Sequence, residues 1–200
     1  MRVTQTLALT CACVCALSFT GCSRSGDDGG DGGRLTGTDR FRFALIYGDT
    51  AYMVSAGTAI DGTVIIPAYY RPDAASRYRP VKEIDSRAFQ GRSAVTRIYI
   101  PATVTEIRQY AFRECTGLAR VYIPDTVTVI GGSAFERCTG IAGVTIPASV
   151  TRVGAGAFAL WTSGQTIAVE GRADREAVIA AGWDEGWDSG CDAAIIYRGQ

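Results

Sequence analysis

The chain has 200 residues, 20 of them basic and 20 acidic, and no histidine; this excludes Ser-His-Asp and Cys-His catalysis, His-ligated zinc and the usual proton carrier at neutral pH. Removing Arg2 with a leader at residues 1–21 leaves the remainder one charge negative, a balance that gives no electrostatic footprint for nucleic acid. The length suffices for one domain with a sizeable core.

Residues 1–21 read as a signal peptide, with Arg2 as the positive start and a mostly apolar run at 7–19 that is too short to span a membrane. Gly21-Cys22 then resembles a lipoprotein processing box, although Phe19 stands where such boxes usually carry leucine. Cys22 is the expected lipidation site, and a plain secretory leader is the alternative. Lipidation is favoured because residues 22–34 hold the run Ser-Arg-Ser-Gly-Asp-Asp-Gly-Gly-Asp-Gly-Gly, a flexible acidic tether such as an anchored domain requires. Residues 35–62 are expected to form an N-terminal capping hairpin, with strands at 41–46 and 51–54 around Tyr47-Gly48-Asp49-Thr50. Its expected role is to cover the first of the repeated units that begin at residue 63.

Residues 63–171 repeat. Ile98-Tyr99-Ile100-Pro101, Val121-Tyr122-Ile123-Pro124 and Val144-Thr145-Ile146-Pro147 recur every 23 residues, as do Phe89, Phe112, Phe135 and Phe158. A period in the twenties is the signature of a solenoid. Alternation along each short strand turns Val121 and Ile123 inward and Arg120 and Tyr122 outward, and the proline ends the strand because it has no N–H for a ladder. Val127, Ile130, Ala134 and Phe135 return into the same core. With strands stacked about 4.8 Å apart, the phenylalanines are expected to form one column. Val64-Ile65-Ile66-Pro67 is an earlier copy. The 34 residues from Pro67 to Pro101 exceed the period by 11, an insertion on one face carrying Tyr69, Tyr70, Arg71, Arg77, Tyr78 and Arg79.

The units 121–130 and 133–141 resemble the BspA-like (Treponema pallidum-type) leucine-rich repeats of bacterial surface proteins. The resemblance implies a leucine-rich repeat solenoid of short parallel strands with irregular or helical returns. It also implies a surface adhesin that engages host matrix proteins or neighbouring bacteria. Standard leucine-rich repeats carry Asn where this chain has Thr103, Thr126 and Ser149; the sequence contains no Asn, so hydroxyls or cysteines must serve the internal ladder. Residues 172–200 read as a C-terminal cap: a short helix at 173–181 with Asp174 near its start and Gly182 as its stop, then Trp183, Trp187 and a strand at 193–197. The two tryptophans are assigned to closing the core rather than to a ligand platform.

No residue pattern in the sequence points to a catalytic, cofactor or metal site. Lys82, the one lysine, falls at the repeat position of Thr105, Thr128 and Thr151, which reads as ordinary surface. Gly154-Ala155-Gly156-Ala157-Phe158-Ala159 matches a loose dinucleotide fingerprint, but the repeat explains the same residues. Cys115 and Cys138 share one repeat position and read as reduced core residues, since equivalent side chains run parallel, although a bridge stays possible in an oxidising location. Arg113 with Glu136 and Glu114 with Arg137 are expected as cross-rung ion pairs, leaving no carboxylate pair for hydrolysis.

The functional surface is therefore the outward side of the sheet, where Ile65, Tyr99, Tyr122, Thr145 and Ala168 align beside Arg97 and Arg120. Tyr and Arg are enriched where proteins bind proteins, while β-propensity alone is the competing explanation for the tyrosines. The sequence thus describes an exported, lipid-anchored, non-enzymatic binder of a host-matrix or bacterial surface protein, with membrane contact through the anchor only. A structural or assembly lipoprotein of the envelope is the alternative. The insertion is a rival binding surface.

Overall fold

A computed structural model describes residues 41–58 and 60–199; the expected signal peptide, Cys22 and tether lie outside them. The first described elements are β1 (Phe41–Ile46) and β2 (Ala51–Ala56), an antiparallel hairpin. Its turn takes left-handed backbone at Tyr47, Gly48 and Asp49 (φ 54, 57 and 65°). β3 (Gly62–Ile65) is followed by β4 (Tyr69–Tyr70), which pairs antiparallel with the start of β5 (Arg79–Ile84). The insertion is thus a small hairpin, with Tyr69, Tyr70 and Arg79 in its strands rather than in a loop.

The regular rungs supply two strands each. One is the anticipated strand: β6 (Val95–Tyr99), β8 (Arg120–Tyr122), β10 (Gly143–Ile146) and β12 (Thr166–Glu170). The other lies on the return, as β7 (Glu106–Ile107), β9 (Val129–Ile130) and β11 (Arg152–Val153). These two-residue strands form a parallel ladder of their own, which β5 and β2 extend in parallel and β1 closes in antiparallel sense, in the order β1-β2-β5-β7-β9-β11. The N-terminal hairpin therefore continues the return-side sheet through β2 and β5 rather than lying over β3. The rest of each return is turn, with no helix, because two residues per rung hold left-handed backbone: Arg87, Tyr110, Ser133 and Gly156 in one column, and Gly91, Glu114, Arg137 and Leu160 in the other (φ 52 to 70°). A helix cannot run through such residues. Outside the repeats, α1 (Arg175–Ala180) is capped by Asp174, whose side chain accepts from the Ala177 N–H. Gly182 ends that turn at φ 103°, and β13 (Ala194–Arg198) adds to β12 in parallel.

The core lies between the two ladders. Phe89, Phe112, Phe135 and Phe158 are fully buried and stack with ring centroids 5.2, 5.2 and 5.6 Å apart. Trp161 and Trp187 close the column edge-on to Phe158, and Trp183 meets Trp187 at 5.1 Å. The tryptophan pair therefore serves burial.

Asparagine's role is divided among three columns of donors to backbone carbonyls of the preceding rung. Thr103, Thr126 and Ser149 reach Ala68, Val104 and Val127 at 3.1, 2.8 and 2.9 Å. Thr105, Thr128 and Thr151 reach Lys82, Thr105 and Thr128 at 3.2 to 3.3 Å. The Cys115 and Cys138 thiols donate to Phe89 and Phe112, both at 3.0 Å, and Trp161 Nε1 takes the same place in the next rung, donating to Phe135 at 2.8 Å. Both thiols are free and buried. Burial pushes the Cys115 thiol up to about 12 and Cys138 in the same direction. Of the two expected cross-rung ion pairs, Arg113–Glu136 forms at 3.1 Å, whereas Glu114 meets Arg113 of its own rung at 3.6 Å.

Candidate interaction surface

Parallel pairing fixes the outward columns. Ile65 is the register partner of Tyr99, which is that of Tyr122. One rung beyond Tyr122, Thr145 pairs with Ala168, which pairs with Ile196. The inward neighbours Ile98 and Val144 are buried, so the outward side chains stand free of the core: Ile65, Tyr99 and Tyr122 are 68, 53 and 64% exposed. Thr145, Arg97 and Arg120 are exposed as well. Ala168 departs from expectation. It holds its place in the column but is only 6% exposed, because a methyl group cannot rise above its flanking strands.

Arg97 and Arg120 are direct register partners. In the next rung their position is Gly143 and the tyrosine position is Thr145. The loss of two large side chains coincides with a break between the sheets β3-β6-β8 and β10-β12-β13, and two open hollows lie along it. One, of about 480 Å³, has Arg97 and Arg120 as its charged residues. The other, of about 420 Å³, has Asp125 and Glu170. Tyr122 lines both. Sequence reading missed this acidic side. Glu170 sits at the proline position of its rung, four residues beyond the counterpart of Arg120, a signal that register arithmetic contains.

On the insertion, Tyr69 and Tyr78 are 56 and 62% exposed, while Arg71 lies over the Tyr78 ring at 4.5 Å. Arg77 is exposed and Arg79 half-buried. Tyr70 turns inward, stacked on Phe43 at 3.8 Å and edge-on to Tyr52 at 5.1 Å. It is a packing residue that ties the insertion to the N-terminal hairpin. A second tie was not foreseen. Glu83, 1% exposed, accepts from the Tyr47 hydroxyl and from Arg108 Nε, the latter at 2.5 Å.

Stacked rungs of one short strand plus a return, each closed on the next by a ladder of internal hydrogen bonds, define a leucine-rich repeat protein. Residues 79–172 match the BspA type leucine rich repeat region in six copies, and the repeat region of this chain is of that type. Leucine-rich repeats serve in general as protein-interaction scaffolds. Among solved structures, a leucine-rich repeat protein of T. pallidum aligns with a TM-score of 0.59 at 23% identity, over 81% of this chain and 64% of that one. A leucine-rich cell surface protein of Faecalibacterium prausnitzii gives 0.53 at 28% identity, over 70 and 45%. A Bacteroides capillosus leucine-rich repeat protein gives 0.56 at 21%, over 82 and 98%. The chain thus spans less than two thirds of the first two proteins. No curated protein matches the sequence.

Proposed function

We propose that this chain is an exported, non-enzymatic protein of the bacterial cell surface that holds a protein ligand on its outward sheet face and is anchored by a lipid on Cys22. The observation that carries the reading is the exposed block of Tyr99 and Tyr122 beside register-paired Arg97 and Arg120. β-propensity accounts for tyrosines there, but not for like charges on adjacent strands, which weaken the pairing. Aromatic and arginine side chains are where interface energy concentrates. The surface location draws support from the F. prausnitzii cell surface protein. Multiple acylation of one cysteine would supply the two signals that stable anchoring needs.

The insertion supports a second reading, in which Tyr69, Tyr78, Arg71 and Arg77 make the contact. The test is capture of surface proteins by the purified chain, compared between the variant with alanine at 97, 99, 120 and 122 and a deletion of residues 71–78. Loss of capture in the four-fold variant, with its melting temperature kept, is expected. Loss only on deletion would move the site to the insertion. Protease accessibility on intact cells separates a surface protein from an envelope protein facing inward.

A further inference from the structure

We infer that the outward face takes an extended polypeptide segment of split charge, its acidic side chain between Arg97 and Arg120 and its basic side chain between Asp125 and Glu170. This rests on the face being the binding surface and names what it binds. The hollow holding the two arginines has no acidic residue, and the neighbouring hollow has no basic one. Among the described residues none of the four charged side chains forms an ion pair or side-chain hydrogen bond. Among the described residues nothing therefore offsets the repulsion between Arg97 and Arg120, whose backbones are register partners about 4.8 Å apart. A carboxylate placed between them gains two charge-assisted hydrogen bonds and relieves that repulsion together.

The spacing sets the length of the segment. Glu170 lies four residues along the strand and two rungs from Arg120. At about 3.3 Å per residue and 4.8 Å per rung, the two backbones are roughly 16 Å apart. An extended peptide covers that distance in about five residues. Its path crosses Tyr122, which lines both hollows and offers an apolar ring midway. A uniformly anionic polymer would satisfy the arginines but meet repulsion at Asp125 and Glu170.

The probe is the end-capped, fluorescein-labelled peptide Glu-Ser-Ala-Ser-Ala-Lys, titrated by fluorescence anisotropy against the full chain. The controls are the same peptide with Gln at both charged positions and a shortened Glu-Ala-Lys. Both controls are expected to bind at least about tenfold more weakly, as for loss of a charged hydrogen bond. R97E/R120E and D125K/E170K should each abolish the preference, because each removes one end of the match. Equal affinity for the three peptides, or no saturable binding of the first, overturns the assignment, as does tighter binding of a heparin fragment than of the first peptide. If the assignment fails while the four-fold alanine variant still loses capture of its protein partner, the face remains the binding surface with a different ligand chemistry.

Discussion

Replacing Phe135 with alanine removes the middle of the aromatic column. The ring is fully buried, 5.2 Å from Phe112 on one side and 5.6 Å from Phe158 on the other. In a solenoid each rung contacts only its neighbours, so no distant side chain can collapse into the gap. The expected cost is about 3–5 kcal/mol, against a total of about 5–15 kcal/mol for a domain. At about 2–4 °C per kcal/mol for a domain of this size, the melting temperature should fall by roughly 6–20 °C. Phe89→Ala should cost less, because Phe89 has a stacked partner on one side only. Circular dichroism melting measures both, and hydrogen exchange should show protection lost first at β7, β9 and β11. A drop below about 2 °C for Phe135→Ala, outside the range of core truncations, would refute the column as the main source of stability.

Glu83→Gln should loosen the N-terminal hairpin selectively, seen as faster hydrogen exchange across β1 and β2 with the later rungs unchanged; uniform loss of protection would contradict this. The Tyr47 hydroxyl is pushed up to about 12, first by its hydrogen bond to Glu83. Since the folded value lies above the free one, the stabilisation it gives is full below about pH 10 and is lost as pH rises through about 12. The melting-temperature difference between the native chain and Tyr47→Phe should shrink over that window, and a difference that grows would overturn the reasoning. Among the described cysteines, maleimide labelling with peptide mapping should modify Cys191 in the folded protein and spare Cys115 and Cys138, because burial raises both thiols and closes access to them; ready labelling of Cys138 would show that its rung opens. Cys22→Ala should shift the chain from the detergent phase to the aqueous phase, and continued partition into detergent would remove the lipid anchor.

The phenylalanine column, the outward Tyr and Arg positions and the coincidence of Cys115 with Cys138 were legible because a fixed period maps sequence offset directly onto spatial neighbourhood. The return-side ladder was not, since strands of two residues such as β9 are too short to display alternation. Nor could the sequence say which ladder the first hairpin would join. The hairpin joins through β2 pairing with β5, just after the insertion, which interrupts the period where it would have fixed the register. Trp161 was overlooked because it takes the cysteine position with a different chemical group that still donates to the same kind of carbonyl. The acidic hollow escaped because Asp125 lies just outside its strand and Glu170 replaces a proline, so neither belongs to the Tyr or Arg column.

Hydroxyl-radical footprinting of the chain alone and bound to its captured partner tests the binding face most directly, because oxidation of tyrosine reports burial ring by ring. Tyr99 and Tyr122, 53 and 64% exposed in the free chain, are expected to become protected, while Tyr69 and Tyr78 stay reactive. Protection confined to Tyr69 and Tyr78, with Tyr99 and Tyr122 unchanged, would contradict the outward sheet face as the site of binding.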